Sequence, residues 1–269
     1  MSNDWFTLQS EHAEPPKRLD TEATNEWRRS TPYLFQINRL SQIDHNALAE
    51  YCSLWSAFRE MHEDIGDDPL HVQGTRYEVE HPLIKPLQLT ADALMLQVQA
   101  FGLTPQSRDL VRTAHNAKPT ALKEFQGNPG KRPLSSDPGV ALEPIDEKPF
   151  HWLSQQAKEQ YSHLARKLSA IKLVTPLDVV PLTLVAVIHD LFMRAIEQRQ
   201  DLYTEVTNRI GEVTELRSHP ILTTAINLSR QGDRLRKHFG MSPKYRKIAG
   251  GDGLSDEAKA KVIPIRFGA

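Results

Sequence analysis

Apolar residues recur every three or four positions along most of the chain, which is the spacing of one buried face of an α-helix. The longest such run covers residues 43–65 and predicts a helix of about twenty residues. Shorter helices are predicted over residues 21–37 and 154–171, and residues 221–239 repeat the same spacing. The pattern therefore predicts a mainly α protein.

Capping signals precede two long helices. Ser41 is placed to cap the first, with Asp44 three positions later, and Thr175 and Asp178 repeat this arrangement before the second. A carboxylate at that position lies near the positive end of the helix dipole. Pro181 predicts a kink just past the first turn of the second long helix. We therefore expect the two long helices to begin in the same way.

Two short segments between the helices alternate in the manner of β-strands. Residues 71–79, HVQGTRYEV, alternate around Gly74 and predict a short β-hairpin. Residues 201–216, DLYTEVTNRIGEVTEL, are its longer counterpart. Each hairpin would be an insertion between two helices.

Two similar phrases have the composition of a helix end followed by a helix start. They are FGLTPQSR, residues 101–108, and FGMSPKYR, residues 239–246. Gly102 and Gly240 suit the left-handed position that ends a helix. The hydroxyl residue and proline that follow suit the cap and the first turn of the next helix.

The chain contains one unit twice. Two phrases recur with a displacement of 138 positions, and three upstream matches share a displacement of 134, so the second copy has four extra residues before its HP dipeptide. We expect two tandem helical units, each a helical hairpin-like core with a short β-hairpin insertion. The matches are HPL 81–83 with HPI 219–221, FGLTPQSR with FGMSPKYR, Trp27 with Tyr161, Leu34 with Leu168, and Asp44 with Asp178.

The repeat divides the chain into five expected segments. They are a flexible N-terminal arm (1–18), unit 1 (19–116), a basic linker rich in glycine and proline (117–152), unit 2 (153–248) and a disordered C-terminal tail (249–269).

Composition narrows the class of protein. The 269 residues are 39% apolar and 25% charged, which is typical of a soluble globular chain. Cys52 is the single cysteine, so a disulfide framework or a cysteine-rich zinc site is excluded. The start of the chain has no signal-peptide pattern, and no run of 18 apolar residues occurs. We expect a cytoplasmic protein with no membrane partner.

A Gly-Lys pair in EFQGNPGKRPL, residues 124–134, raises the question of a phosphate-binding loop. Such a loop needs four residues between its glycines and a hydroxyl residue after the lysine. Gly127 and Gly130 are separated by two residues, and Arg132 follows the lysine. A nucleotide site is therefore not expected there.

Residues 122–134, LKEFQGNPGKRPL, are followed by an E-P-x-x-x-x-P stretch, L-x-x-x-A, a [TS]-x-x-D helix start, HP and the closing FG-x-[ST]-P phrase. This order resembles the phage terminase small subunit family, in which GNPGKRPL is a basic arm before the helical unit. The resemblance implies a non-enzymatic component without cofactors. Its partners would be double-stranded DNA, the large terminase subunit that carries the ATPase and nuclease, and further copies of itself in a ring. The tandem duplication is a departure from that pattern.

Charge is distributed unequally between the two units. Residues 60–80 contain seven acidic residues and one basic residue, whereas residues 229–247 contain seven basic residues and one acidic residue. Because each cation that neutralises a phosphate releases condensed counterions, unit 2 and the linker are the better candidates for DNA binding. The alternative is a solvated helix face and a plain interdomain linker. The candidate DNA-binding residues are Lys123, Lys131, Arg132, Arg230, Arg234, Arg236, Lys237, Lys244, Arg246 and Lys247.

Two other functions remain open at this stage. Helix pairs joined by a short turn also read the major groove in transcription regulators, so a helical regulator of phage origin is an alternative. A metal-dependent nuclease would need ligands, and its candidates match neither the H-E-x-x-H nor the EF-hand spacing, so a solvated helix end is the preferred interpretation. Those candidates are His62, Glu63, Asp64, Asp67, Asp68 and His71.

Overall fold

The same order of elements occurs twice in the computed structural model, which describes residues 14–36, 40, 44–74, 78–110, 144–170, 173–198, 203–207 and 213–241. The prediction of a mainly α fold built from two similar units is confirmed. Unit 1 contains α1 (Thr21–Gln36), α2 (His45–Ile65), β1 (His71–Gln73), β2 (Glu78–Glu80), α3 (Ile84–Ala100) and α4 (Pro105–Leu110). Unit 2 contains α5 (Gln155–Ala170), a 3₁₀ turn (Pro176–Asp178), α6 (Val179–Glu197), β3 (Tyr203–Thr207), β4 (Val213–Ser218) and α7 (Pro220–Lys237).

The start of the second long helix follows its capping signal. The backbone N–H and hydroxyl of Thr175 donate to Asp178 Oδ2 at 2.7 and 2.9 Å, and the capping box is complete. Pro181 is the third residue of α6, where a backbone N–H has no partner within the helix, and α6 continues through it. The 3₁₀ turn runs directly into α6, and the kink at Pro181 stays a prediction. Ser41 lies outside the described residues.

In each unit, a hydrogen bond between an aspartate and a serine joins the start of the first helix to the long helix. The aspartate precedes the first helix in unit 1 and lies on the long helix in unit 2. Asp20 caps α1 by accepting a hydrogen bond from the backbone N–H of Ala23 (2.8 Å). It also accepts a hydrogen bond from the hydroxyl of Ser56 at 2.9 Å. Ser154 caps α5 in the same way (3.1 Å) and donates to Asp190 at 2.9 Å. Both pairs are related by 134 positions, so aspartate and serine have exchanged places between the units.

Both predicted hairpins and both predicted helix ends are present. β1 pairs with β2 with His71 opposite Glu80, and β3 pairs with β4 with Tyr203 opposite Ser218, each antiparallel. Gly102 and Gly240 have φ angles of 68° and 63°, the left-handed conformation that favours glycine. The helix start after Gly240 lies outside the described residues.

The buried apolar side chains of both units belong to one core among the described residues. The segment Pro176–Glu197 is long and apolar enough to cross a membrane, but 67% of its most apolar window is buried inside the protein. It is therefore the central helix of this core. Cys52 is fully buried, and burial raises the pKa of its thiol.

Candidate nucleic-acid interface and the contact between the units

Four of the ten candidate DNA-binding residues lie on α7 and near its C-terminal end. Arg230, Arg234, Arg236 and Lys237 belong to this helix. Cations in the last turn also interact favourably with the helix dipole, which gives part of this cluster a structural role. The other six, Lys123, Lys131, Arg132, Lys244, Arg246 and Lys247, lie outside the described residues.

Two of these arginines have carboxylate partners. Arg234 lies 3.4 Å from Asp92 of α3, and Arg236 lies 2.5 Å from Asp233 of its own helix. The side chains of Arg234 and Asp92 are 66% and 42% exposed. An exposed ion pair of this kind is worth less than about 1 kcal/mol, so either arginine could exchange its carboxylate for a phosphate.

An open groove of about 890 Å³ lies beside α7, between that helix, α3 and the β1–β2 hairpin. Its charged lining contains three cations and three carboxylates, so the groove is not uniformly positive. It suits polar contacts but does not by itself form a track for a phosphate backbone. The charged residues are Lys85, Arg230, Arg234, Glu80, Asp92 and Asp233.

Helices α3 and α7 meet at the floor of this groove through polar groups. Gln231 is 1% exposed and donates to the backbone oxygen of Gln88 at 2.8 Å and to Asp92 at 3.0 Å. The second bond is to the same carboxylate that pairs with Arg234. The contact therefore joins unit 1 to unit 2 by hydrogen bonds and one ion pair.

The β1–β2 hairpin of unit 1 is bound to the first turns of α7. Thr224 donates to Glu80 at 2.6 Å and lies 3.0 Å from His71 Nε2. His219 lies 3.2 Å from Glu78, while its other ring nitrogen accepts the backbone N–H of Ile221 and so caps α7. Burial lowers the pKa of His71. This docking of one unit's hairpin on the other unit's helix has no signal in the hydrophobic pattern.

A buried charged network joins α1 to α2 within unit 1. Glu26 accepts two hydrogen bonds from Arg29 (2.6 Å each) and one from Tyr51 (2.7 Å). Arg29 also donates to the backbone oxygen of Pro176 in unit 2 at 2.6 Å. Burial acts to lower the pKa of Arg29, but the charge and hydrogen bonds of Glu26 outweigh it and the pKa rises. Burial, followed by the charge of Glu26, raises the pKa of Tyr51.

The six residues considered as metal ligands are not arranged around one point. His62 is 5% exposed, with its ring edge to face against Trp152 (5.3 Å), and burial followed by the charge of Arg194 lowers its pKa to about 4. His71 instead contacts Thr224, whereas Glu63, Asp64, Asp67 and Asp68 are exposed. Within the described part of the chain, no three His, Cys, Asp or Glu side chains are grouped as metal ligands.

The fold and the surface define a helical protein made of two units of one pattern that share a core. A family model described as "Phage terminase, small subunit" matches the chain twice, at residues 23–118 and 157–252. Because the two matches cover more than half of the chain, the chain belongs to the phage terminase small-subunit family. It contains the family's unit twice, in tandem. No curated protein and no solved structure matches the chain.

Proposed function

We propose that the protein is the small subunit of a DNA-packaging terminase of a phage or prophage. In this role it binds viral double-stranded DNA, assembles with further copies of itself and regulates the large subunit that carries the ATPase and nuclease. The observation that carries the proposal is the double family match. In such an assembly this chain is not an enzyme: it needs no cofactor and supplies binding surfaces.

The proposed DNA surface consists of the basic end of α7 with the residues that follow it, together with the basic linker. Arg230 and Arg234 are exposed on α7, and the acidic partners of Arg234 and Arg236 hold them only weakly. The corresponding helix of unit 1 has Asp92 and Leu96 at the positions of Arg230 and Arg234. A shared fold does not require this difference, which supports a division of labour between the units.

Replacement of five cations by alanine tests the surface: Arg234, Arg236, Lys237, Lys244 and Arg246. Phosphate contacts do not depend on base sequence, so affinity should fall equally for all duplexes. If all five contact phosphates, the slope of log K against log salt should become shallower by about four to five. Binding is measured by fluorescence anisotropy over a range of salt concentrations. The paired change of Lys131 and Arg132 should give a smaller, additive loss.

The ion pairs provide a control with the opposite sign. Asp92→Asn and Asp233→Asn remove the carboxylates opposite Arg234 and Arg236 while preserving the shape of the side chains. If α7 contacts phosphates, DNA affinity should increase in the double variant. Unchanged affinity in both sets of variants would mean that the basic face is only a solvated surface.

Regulation of the large subunit is tested by adding this chain to a purified large terminase subunit from the same phage or prophage. Addition of the small subunit should change the ATPase rate in the presence of DNA. A preference for one operator of more than about a thousandfold, without any effect on an ATPase, would instead indicate a transcription regulator.

A further inference from the structure

The contact between the two units is not symmetric. In a two-fold contact, each residue used by unit 1 would be used again at the equivalent position of unit 2. Gln88 and Asp92 of α3 bind Gln231 of α7. Ile226 and Arg230 stand 138 positions after Gln88 and Asp92, and both are exposed. The contact is therefore heterologous, with a different face from each unit.

The complementary face of unit 1 is also uncovered. Thr224, Gln231 and Arg234 form the face of α7 that receives unit 1. Their equivalents on α3, again 138 positions earlier, are Pro86, Ala93 and Leu96. Pro86 is exposed, Ala93 is partly exposed and Leu96 is 68% exposed. Each unit therefore retains, uncovered, the half of the α3–α7 contact that the other unit uses.

Apolar side chains are exposed on both uncovered faces, that of α7 and that of α3. Among the described residues, the exposed large apolar side chains are Val79, Leu89, Leu96 and Ile226. Ile226, 50% exposed, stands at the position of Gln88. Leu89 and Leu96 are exposed on α3, on either side of Ala93, which stands at the position of Gln231, and Leu89 also lines the groove beside α7. A repeat of the internal contact would place Ile226 of one molecule against Ala93 of the next.

The charges are compatible with the same arrangement. Arg230 stands where Asp92 stands in unit 1, and it would face the position of Leu96 rather than another cation. No like charges face each other among these positions.

We propose that copies of this chain associate head to tail, with the Ile226 face of α7 of one molecule bound to the Pro86–Leu96 face of α3 in the next. The contact repeats between molecules the contact of α3 with α7 that joins unit 1 to unit 2 within one molecule. A heterologous contact of this kind forms rings or open filaments. The inference rests on the proposed self-association and assigns it a surface and a direction.

Two glutamate substitutions test the surface, one on each half: Leu96→Glu and Ile226→Glu. Both side chains are exposed, so folding should survive, and circular dichroism with thermal unfolding verifies this. Each variant should sediment as a 30.5 kDa monomer at tens of micromolar, where the wild-type chain is an oligomer. Val79→Glu, the same kind of change at an exposed apolar residue outside the proposed surface, should leave the oligomer unchanged.

Mixing the two monomeric variants tests the direction. The Leu96→Glu chain retains an intact Ile226 face, and the Ile226→Glu chain retains an intact α3 face. A head-to-tail contact therefore predicts that the mixture forms a 1:1 dimer and grows no further. Two monomers that remain separate on mixing would overturn the proposed direction.

The remaining outcomes distinguish an error in the proposed surface from an error in the proposed self-association. If the wild-type chain is an oligomer and both variants keep its mass, the surface is wrong while self-association stands. If the wild-type chain is a monomer at these concentrations, both are wrong. Variants that stop at a dimer without mixing would show that an isologous contact at another surface builds the assembly.

Discussion

The exchange of aspartate and serine between the units yields a quantitative prediction. In unit 2, Ser154 caps α5 and donates to Asp190, whose carboxylate is 2% exposed. Ser154→Asp would place a second carboxylate within about 4 Å, where like charges repel by about 4 kcal/mol at an effective dielectric constant near 20. Because the pair can take up a proton, we expect a smaller loss of unfolding free energy, about 3 kcal/mol.

Asp190→Ser, added to Ser154→Asp, should restore the unfolding free energy that Ser154→Asp removes. Asp190→Ser alone leaves two serines, loses a charge-assisted hydrogen bond and costs about 1 kcal/mol. Ser154→Asp with Asp190→Ser recreates the arrangement of Asp20 and Ser56, in which aspartate also lies at the positive end of a helix dipole. The double variant should be within about 1 kcal/mol of the wild type, a coupling of about 3 kcal/mol.

Urea unfolding of the four proteins at neutral pH measures this cycle. The mirrored exchange in unit 1, Asp20→Ser with Ser56→Asp, provides an internal comparison. It should recover less, because Glu60 stands four residues after Ser56, whereas the cation Arg194 stands four residues after Asp190. Burial raises the pKa of Asp190, and the charge of Arg194 partly opposes this rise. If the losses of unfolding free energy from Ser154→Asp and Asp190→Ser simply add in the double variant, the argument is refuted. Stability would then not depend on having one serine and one aspartate in this hydrogen bond.

Three further predictions concern stability. The pKa of His62 is near 6.5 in the unfolded chain and about 4 in the folded protein, so stability falls as pH decreases through this interval. His62→Phe should remove about 2 kcal/mol of the difference between urea unfolding at pH 7 and at pH 5, and an unchanged difference would contradict this. Glu26→Ala leaves Arg29 and Tyr51 without their buried acceptor and should cost about 3 kcal/mol, whereas loss of the exposed partner of Arg59 in Glu22→Ala should cost less than about 1 kcal/mol. Gly102→Ala forces a side chain into the left-handed region and should lower the thermal unfolding free energy by about 1 kcal/mol, and a neutral change would mean that the turn relaxes.

Local patterns were sufficient for the elements of the fold. The spacing of apolar residues located α2, and the capping box at Thr175 marked the start of the second long helix, because both depend on residues within a few positions. Gly240 ended α7 for the same reason. The exchange of Asp20 and Ser56 with Ser154 and Asp190 was also readable at the spacing of 134, once serine and aspartate are treated as partners in one hydrogen bond.

The contact between the units could not be predicted from those patterns. Gln231 and Asp92 are polar residues on helix faces that the periodicity marks as exposed, and they meet only because α3 and α7 are adjacent in space. The same limitation affects the charge argument. Arg234 was interpreted as a cation for DNA, but it pairs with the carboxylate of Asp92, which is 142 residues away in the sequence.

The chemistry of the two contacts follows from the covalent connection between the units. Within one molecule the units are held together by the chain and by their shared apolar core, so the contact through Gln231 need not overcome the entropy of association and can be polar. A contact between separate molecules must overcome it, which favours apolar side chains such as Leu96 and Ile226. Gln231→Ala should therefore lower the unfolding free energy by about 1 to 2 kcal/mol without changing the sedimenting mass, whereas Leu96→Glu should change the mass. A fall in mass for Gln231→Ala would mean that the contact through Gln231 also joins separate molecules, and the assignment of the two surfaces would have to be reversed.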